Sequence, residues 1–341
     1  MKLKELSRIL NLSATTVSRA LNGYPEVNAE TRARVLAAAR RHGYAPNQVA
    51  RRLATGRAMA IGHVAPLAQH QMINPLFAEF LLGCGETYSA AGYDMVMSIV
   101  PEAREAEAYE AMARHHKVDG VILHAPGLRD GRVELLRRLG LPFVMHGRDE
   151  RPQPDYSWLD IDNEGAFRRA TELLLDLGHR RIALVNGIAG QSFALRRLRG
   201  FEAALAARGL AADPRHVRHG EMVEPLGYAA AREALALPDP PTAFLASAIT
   251  IAYGVLRALR ELGLEPGRDV SIVAHDDDLS FLPNGGPDPL FTATRSSIRE
   301  AGRRCAELAI ARITEPEAGE RRELWTADLV EGATTGPAPG P

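Results

Sequence analysis

The sequence predicts an α/β protein with a small all-α head: a helix-turn-helix and a short, marginal fourth helix, then two subdomains of parallel sheet wrapped by helices. Three observations predict it. The first 57 residues read as three short helices followed by a fourth, marginal segment. From Ala58 onward, short apolar runs alternate with amphipathic helical stretches. This second part, about 280 residues, exceeds what one hydrophobic core usually holds and suits two α/β subdomains.

In the head, Leu3, Leu6, Ile9 and Leu10 recur at helical spacing and stop at Asn11. Ser13 can cap a second helix from Ala14 to Leu21, so a short turn joins the two. Leu12, Val17, Ala20 and Leu21 can face inward, which leaves Ala14, Thr15, Ser18 and Arg19 on the opposite face, as contact with a DNA major groove requires. Asn28 caps a third helix through Val35 to Ala39. Residues 47–55, NQVARRLAT, are too short to hold a helix alone in water. In the body, the runs MAIGHVAPL, YDMVMSIV, DGVILHA, PFVMHG, RIALVNG, TAFLAS and VSIVAHD read as strands, and stretches such as FAEFLLGCGETYSAAG and ITIAYGVLRALRELG as the helices between them. The tail from Gly332 has no apolar periodicity and is expected to be disordered over 332–341.

Charge separates the two parts. Residues 1–57 carry 11 Lys or Arg against 3 Asp or Glu, and the rest of the chain 30 against 39. Only the head suits a polyanion. A Walker-type phosphate loop, G-x-S-x-G, H-E-x-x-H and a paired C-x-x-C are all missing, so the chain is read as a non-enzyme with no cofactor and no metal. His275 followed by Asp276, Asp277 and Asp278 is not a metal cluster, because consecutive residues leaving a strand point alternately to opposite sides. Two cysteines, Cys84 and Cys305, fit a reducing compartment, and with neither a signal peptide nor an 18-residue apolar run the chain is expected to be cytoplasmic, without a membrane partner.

The string SATTVSRALNGYPEVNAETRARVLAAARRHGYAPNQVARRLATG closely resembles the N-terminal module of LacI-type (lac-repressor-like) transcription regulators, with T-V-S-R, N-G, G-Y-x-P-N and A-x-x-L elements in place. The resemblance implies domains over 1–45 (helix-turn-helix), 46–57 (hinge helix) and 58–331 (effector binding and dimerisation). It implies double-stranded operator DNA as a partner, with Thr15 and Arg19 as base readers and Ala14 at a further specificity position. Ser13, Thr16, Asn22 and Thr31 would hold phosphates, and Ser18, Tyr44, Asn47 and Ala50 complete the interface. Leu53 would wedge the minor groove as part of a hinge helix that forms on the operator.

The resemblance continues through N-P-L-F-A-E, D-G-V-I-L, D-N-E-G-A, G-H-R-R-I-A, R-x-x-G-F and D-V-S-I-V-A-H-D-D, which look like the periplasmic-binding-protein-like effector domain of the same family. It implies two lobes around a cleft, an N-lobe of about 58–160 and 292–322 and a C-lobe of about 161–291 and 323–331, with crossovers near 159–163, 289–294 and 321–325. Ligands sit beyond the carboxyl ends of such strands. There the residues Asn74, Leu76, Phe77, His146, Arg148, Arg197, Ser247 and Asp276 suit a small sugar, with Arg197 and Asp276 matching the family's hydroxyl-binding pair and Phe77 its stacking position.

Two departures stand out: Ala248-Ile249 where many members carry Asn-Asp or Ser-Asp, and Gly147-Arg148 where many carry Asp-Arg. His146, Arg148, Ser247 and Thr250 are the residues placed to take over. The segment HDDDLSFLPNGGPDPLFTATRSSIREAGRR resembles repressors of α-glucoside operons. The reading is a homodimeric repressor of sugar-utilisation genes, a tetramer being open. The alternatives are a corepressor-dependent regulator with a non-sugar effector, or a sugar-binding receptor or enzyme with a fused DNA-binding module.

Overall fold

The computed structural model describes residues 1–21, 24, 26–44, 56–66 and 75–340. It divides into two compact units, Met1–Ala58 and Met59–Pro341.

The first unit holds α1 (Leu3–Leu10), α2 (Ala14–Leu21) and α3 (Ala29–Arg41). The chain leaves α1 through Asn11, whose φ of 53° lies in the left-handed region that asparagine tolerates better than most residues. The Ser13 hydroxyl accepts from the Thr16 amide at 3.0 Å and so caps α2. The Asn28 side chain accepts from the Thr31 amide at 2.7 Å and caps α3. Arg32 donates to the Tyr24 carbonyl at 2.6 Å, tying the connection between α2 and α3 to the third helix. Leu6, Val17, Ala20, Val27, Val35 and Ala39 close a small core. The hinge segment, including Asn47, Ala50 and Leu53, lies outside the described residues, as does Asn22.

The second unit has two six-stranded sheets. The N-lobe sheet runs in the order β11 (Arg322–Trp325), β5 (Ser157–Ile161), β4 (Phe143–His146), β3 (Gly120–His124), β1 (Ala60–Pro66), β2 (Asp94–Val100), with every pairing parallel. The C-lobe sheet runs β12 (Asp328–Val330), β10 (Thr292–Arg295), β9 (Ser271–Asp276), β8 (Ala243–Ala246), β6 (Ile182–Asn186), β7 (Val217–His219), and only β12 is antiparallel. Strands such as β6 and β8 are buried along their whole length, because helices cover both faces of each sheet.

In the N-lobe α4 (Pro75–Ala91) packs on α11 (Ile298–Thr314), with α5 (Glu105–Arg114) and α6 (Arg132–Leu139) completing the cover. In the C-lobe α7 (Asn163–Asp176) packs on α8 (Ser192–Ala206), and α9 (Glu224–Leu235) on α10 (Ile249–Glu261). Small residues set these close approaches: a Cβ at Gly83 would run into the Arg299 carbonyl, and one at Gly200 into the Glu164 carbonyl.

The lobes are joined where β5 passes to α7, β10 to α11 and β11 to β12. Two boundaries differ from the sequence reading. Residues 292–295 pair in parallel along β9 and so belong to the C-lobe, which moves the second crossover to 296–297. Residues 322–325 pair with β5 in the N-lobe, which moves the third to 326–327. The tail also differs from the expected disorder. Thr334 is buried and donates to the Ile272 carbonyl at 2.8 Å, the Gly336 carbonyl lies 3.1 Å from His179 Nε2, and the Ala338 amide donates to Leu177 at 2.8 Å. Backbone and threonine hydrogen bonds anchor this segment instead of apolar side chains, so apolar periodicity could not reveal it.

Candidate functional site

The carboxyl ends of both sheets face one cleft, which holds about 930 Å³ of space including its open mouth. This is where parallel-sheet geometry places a ligand. The N-lobe wall is aromatic. Phe80 stacks on His146 with ring centroids 4.5 Å apart, and Phe77 and Phe80 both meet His124 edge-on, at 5.0 and 4.9 Å. Leu76 is buried and Phe77 half-buried, and both line the cleft, so α4 delivers an apolar surface to it.

The C-lobe wall is charged and ordered by hydrogen bonds. Arg197, on α8, donates through Nε to Asn163 Oδ1 at 2.7 Å and through a terminal nitrogen to the Ser247 carbonyl at 2.6 Å. Its guanidinium lies 4.9 Å from the ring centroids of both Phe167 and Phe193. Burial pulls the Arg197 pKa down to about 10, with Asp277 and Asp160 opposing. Burial raises the Asp277 carboxyl to about 7, with Arg197 opposing. His275 is held neutral by burial and pairs with Thr294 Oγ1 at 2.9 Å. Beside them Arg148 donates to Asp160 at 3.0 Å while lying 5.2 Å from the Trp158 ring centroid.

Three of the sequence-selected residues, Asp276, Ser247 and Thr250, do not line the cleft. Asp276 faces away from it: its carboxylate accepts from the Asp278 amide at 2.9 Å and lies 3.9 Å from Arg295. Strand alternation puts His275 and Asp277 on the cleft side, so Asp277 is the acid beside Arg197. Ser247 turns its hydroxyl to Asn186 Oδ1 at 2.7 Å and gives only its carbonyl to Arg197. The Thr250 hydroxyl donates to the Met222 carbonyl at 2.8 Å. Leu76, Phe77, His146, Arg148 and Arg197 do line the cleft, and Asn74 lies outside the described residues.

The sequence reading missed His124, Phe80 and Asp160 as cleft residues, and within 191–197, the stretch after RIALVNG, it singled out Arg197 alone and passed over Phe193 and Arg196. His124 ends the run DGVILH just as His146 ends PFVMH, so the end of that strand carried the signal. Arg196 carried none. It reaches from α8 to the N-lobe, donating to the carbonyls of Arg148 and Asp149 at 3.0 and 2.9 Å and to Asp160 at 3.0 Å. Ser192 also crosses between lobes, donating to the Gly127 carbonyl at 2.7 Å.

On α2, Thr15 and Arg19 are exposed one helical turn apart, Ala14, Thr16 and Ser18 are half-buried, and Val17 and Ala20 are buried. Ser13 and Thr16 share a hydroxyl pair at 2.8 Å. Thr31 gives its amide to the Asn28 cap, and Tyr44 is half-buried at the end of the head. Among the described residues no group of three or more His, Cys, Asp or Glu is placed to hold a metal ion, and no helix is long and apolar enough to cross a membrane. Cys84 and Cys305 are both buried and free.

Residues 2–47 match the model of bacterial regulatory proteins of the lacI family, and residues 171–335 that of a periplasmic binding protein-like domain. The chain is 46% identical to the HTH-type transcriptional regulator AglR of Rhizobium meliloti, over 99% of this chain and 95% of that one. It is 32% identical to the HTH-type transcriptional regulator RafR of Escherichia coli, over 98% of each. Among solved structures, a CelR–cellobiose complex superimposes with a TM-score of 0.72 at 30% identity, covering 98% of this chain and 99% of that one. The lac repressor dimer bound to operator and the anti-inducer ONPF gives 0.76 at 26% identity, again over 98% and 99%. With a helix-turn-helix at its head, a two-lobed cleft in its body and such likeness along its length, the chain belongs to the lacI family of DNA-binding bacterial transcriptional regulators.

Proposed function

We propose that this regulator is a homodimeric repressor of sugar-utilisation genes that works in the cytoplasm and leaves its operator when a small sugar, of the α-glucoside class, enters the cleft. The observation that carries the reading is the pairing of walls: an aromatic face from Phe77, Phe80 and His146 opposite the buried Arg197 and Asp277. A sugar ring has apolar C–H faces that stack on aromatics and hydroxyls at its rim that accept from a guanidinium and donate to a carboxylate. The cellobiose in the CelR structure, a β-linked disaccharide, supports a small sugar as the ligand, while the α-glucoside class rests on the likeness of residues 275–304 to repressors of α-glucoside operons.

In the head, Arg19 and Thr15 read base edges, with Ala14 adding an apolar contact such as one to a thymine methyl, and Ser13, Thr16 and Thr31 hold phosphates. The mechanism is a population shift: closing the lobes around the sugar disfavours the form in which two hinge segments pair on the operator. Calorimetry against maltose, trehalose, sucrose and cellobiose, followed by operator titration with whichever sugar binds, tests the proposal. Binding with weakened operator affinity is expected. Binding that strengthens operator affinity would instead make the ligand a corepressor, and turnover of any sugar would make the chain an enzyme.

A further inference from the structure

We infer that Tyr88, His63 and His124 form a one-way hydrogen-bond relay that holds His124 as a donor toward the cleft, so that the ligand must meet it with an oxygen acceptor. The ligand's being a sugar rests on the reading above; the relay itself does not.

His63 lies on β1 and is wholly buried. Its Nδ1 is 3.0 Å from His124 Nε2 and its Nε2 is 3.0 Å from the Tyr88 hydroxyl. The two imidazole planes lie within 18° of each other with centroids 5.2 Å apart, the nearly coplanar, edge-to-edge arrangement that an in-plane N–H···N bond requires. Burial pulls His63 down to about 3 and His124 well below its ordinary value, so both rings are neutral and each has one donor nitrogen and one acceptor nitrogen.

Only two proton arrangements then satisfy both contacts of His63. In the first, His63 donates from Nε2 to Tyr88 and accepts from His124 at Nδ1. The Tyr88 proton must then find another acceptor. Its neighbour is Cys84, whose sulfur is a weak acceptor and whose own thiol donates to the Gly302 carbonyl at 3.2 Å. In the second, Tyr88 donates to His63 Nε2, His63 donates from Nδ1 to His124 Nε2, and the remaining His124 proton sits on Nδ1. The second leaves no buried proton without a strong acceptor, and a buried donor left unsatisfied is the costlier fault.

His124 is half-buried at the end of β3 and lines the cleft, and the edges of Phe77 and Phe80 fix its ring plane. Among the described residues no protein group pairs with its Nδ1. The relay therefore places a directed donor within the aromatic wall, across from Arg197 and Asp277. An oxygen at a ring, glycosidic or hydroxyl position answers it; a bare C–H does not. His63 and Tyr88 act as positioning residues, because neither lines the cleft.

The full-length protein with ¹⁵N-labelled histidine, recorded at neutral pH without any sugar, reads the tautomers directly. The expected spectrum has His63 and His124 both protonated on Nδ1. In Tyr88→Phe, which removes only a hydroxyl, His124 should become a mixture of tautomers. Affinity for whichever of maltose, trehalose, sucrose or cellobiose binds the unmodified protein should then fall by the reciprocal of the fraction left protonated on Nδ1, about twofold for an even mixture, while operator affinity is kept. His124 protonated on Nε2 in the unmodified protein would overturn the relay. So would an unchanged tautomer in Tyr88→Phe. If none of the sugars binds, the carbohydrate reading fails, whereas the ¹⁵N signals still decide the relay.

Discussion

Helix α2 presents Thr15 and Arg19 one turn apart on one exposed face, whereas the cleft brings Arg197 from α8 against Asp277 from the end of β9. The first arrangement is local. Its geometry follows from 3.6 residues per turn and the Ser13 cap, and its charged group is solvated before it meets DNA. The second is tertiary. Its charges are already desolvated and held by Asn163, the Ser247 carbonyl and two phenyl rings before a ligand arrives. The contrast teaches that truncation should be costlier in the cleft, where an unpartnered buried group is left behind, than on α2, where water replaces what is lost.

The sharpest way to break that contrast is Arg197→Ala. We expect it to abolish sugar binding in calorimetry, a loss of about 3 kcal/mol or more because the charge-assisted bonds it makes are buried, while operator affinity stays that of the unmodified protein. Sugar binding at unchanged affinity would move the site to His146 and Arg148. On the other side, Arg19→Ala should cost about 1 to 3 kcal/mol on the operator and relax the preference at one base pair per half-site. Equal losses on operator and random DNA would make Arg19 a phosphate contact.

The same contrast explains what the sequence made legible. Ser13 and Asn28 announce helix starts by residue type alone, and both cap in the structure. The alternation of apolar runs with helical stretches announces parallel sheets for the same local reason. The cleft was legible in part: His146 was reached as a strand end and Arg197, on α8, through the family resemblance, but Asp276 was chosen over Asp277, since a sequence does not say which face of β9 turns to the cleft. Arg196 was invisible because its partners, two backbone carbonyls and the carboxylates of Glu150 and Asp160, lie on the other lobe, far away in the sequence. The ordered tail was invisible because threonines and backbone amides hold it.

Asp277 sharpens the comparison through pH. Its carboxyl is raised to about 7 by burial against the pull of Arg197, so between the ordinary value of 3.8 and about 7 the folded chain binds the extra proton. Its contribution to stability is fully present below 3.8 and is lost as pH rises to about 7. Asp277→Asn should flatten the fall in urea midpoint across that window; an unchanged slope would assign the proton elsewhere. Asp276→Ala should leave sugar affinity nearly as it is, because that side chain points away from the cleft. The smallest effect is Asn28→Ala, about 1 kcal/mol of head-unit stability from one lost cap, read by thermal unfolding, with the cleft's sugar affinity untouched.

The central claim is that ligand in the cleft and operator at the head are linked through one equilibrium. The most direct test is operator affinity of the full-length protein, measured with and without a saturating amount of a sugar shown by calorimetry to bind, in parallel with Arg197→Ala. A weakening of about 5- to 150-fold in the unmodified protein and none in Arg197→Ala is the predicted result. Equal operator affinity with and without the bound sugar would contradict the account.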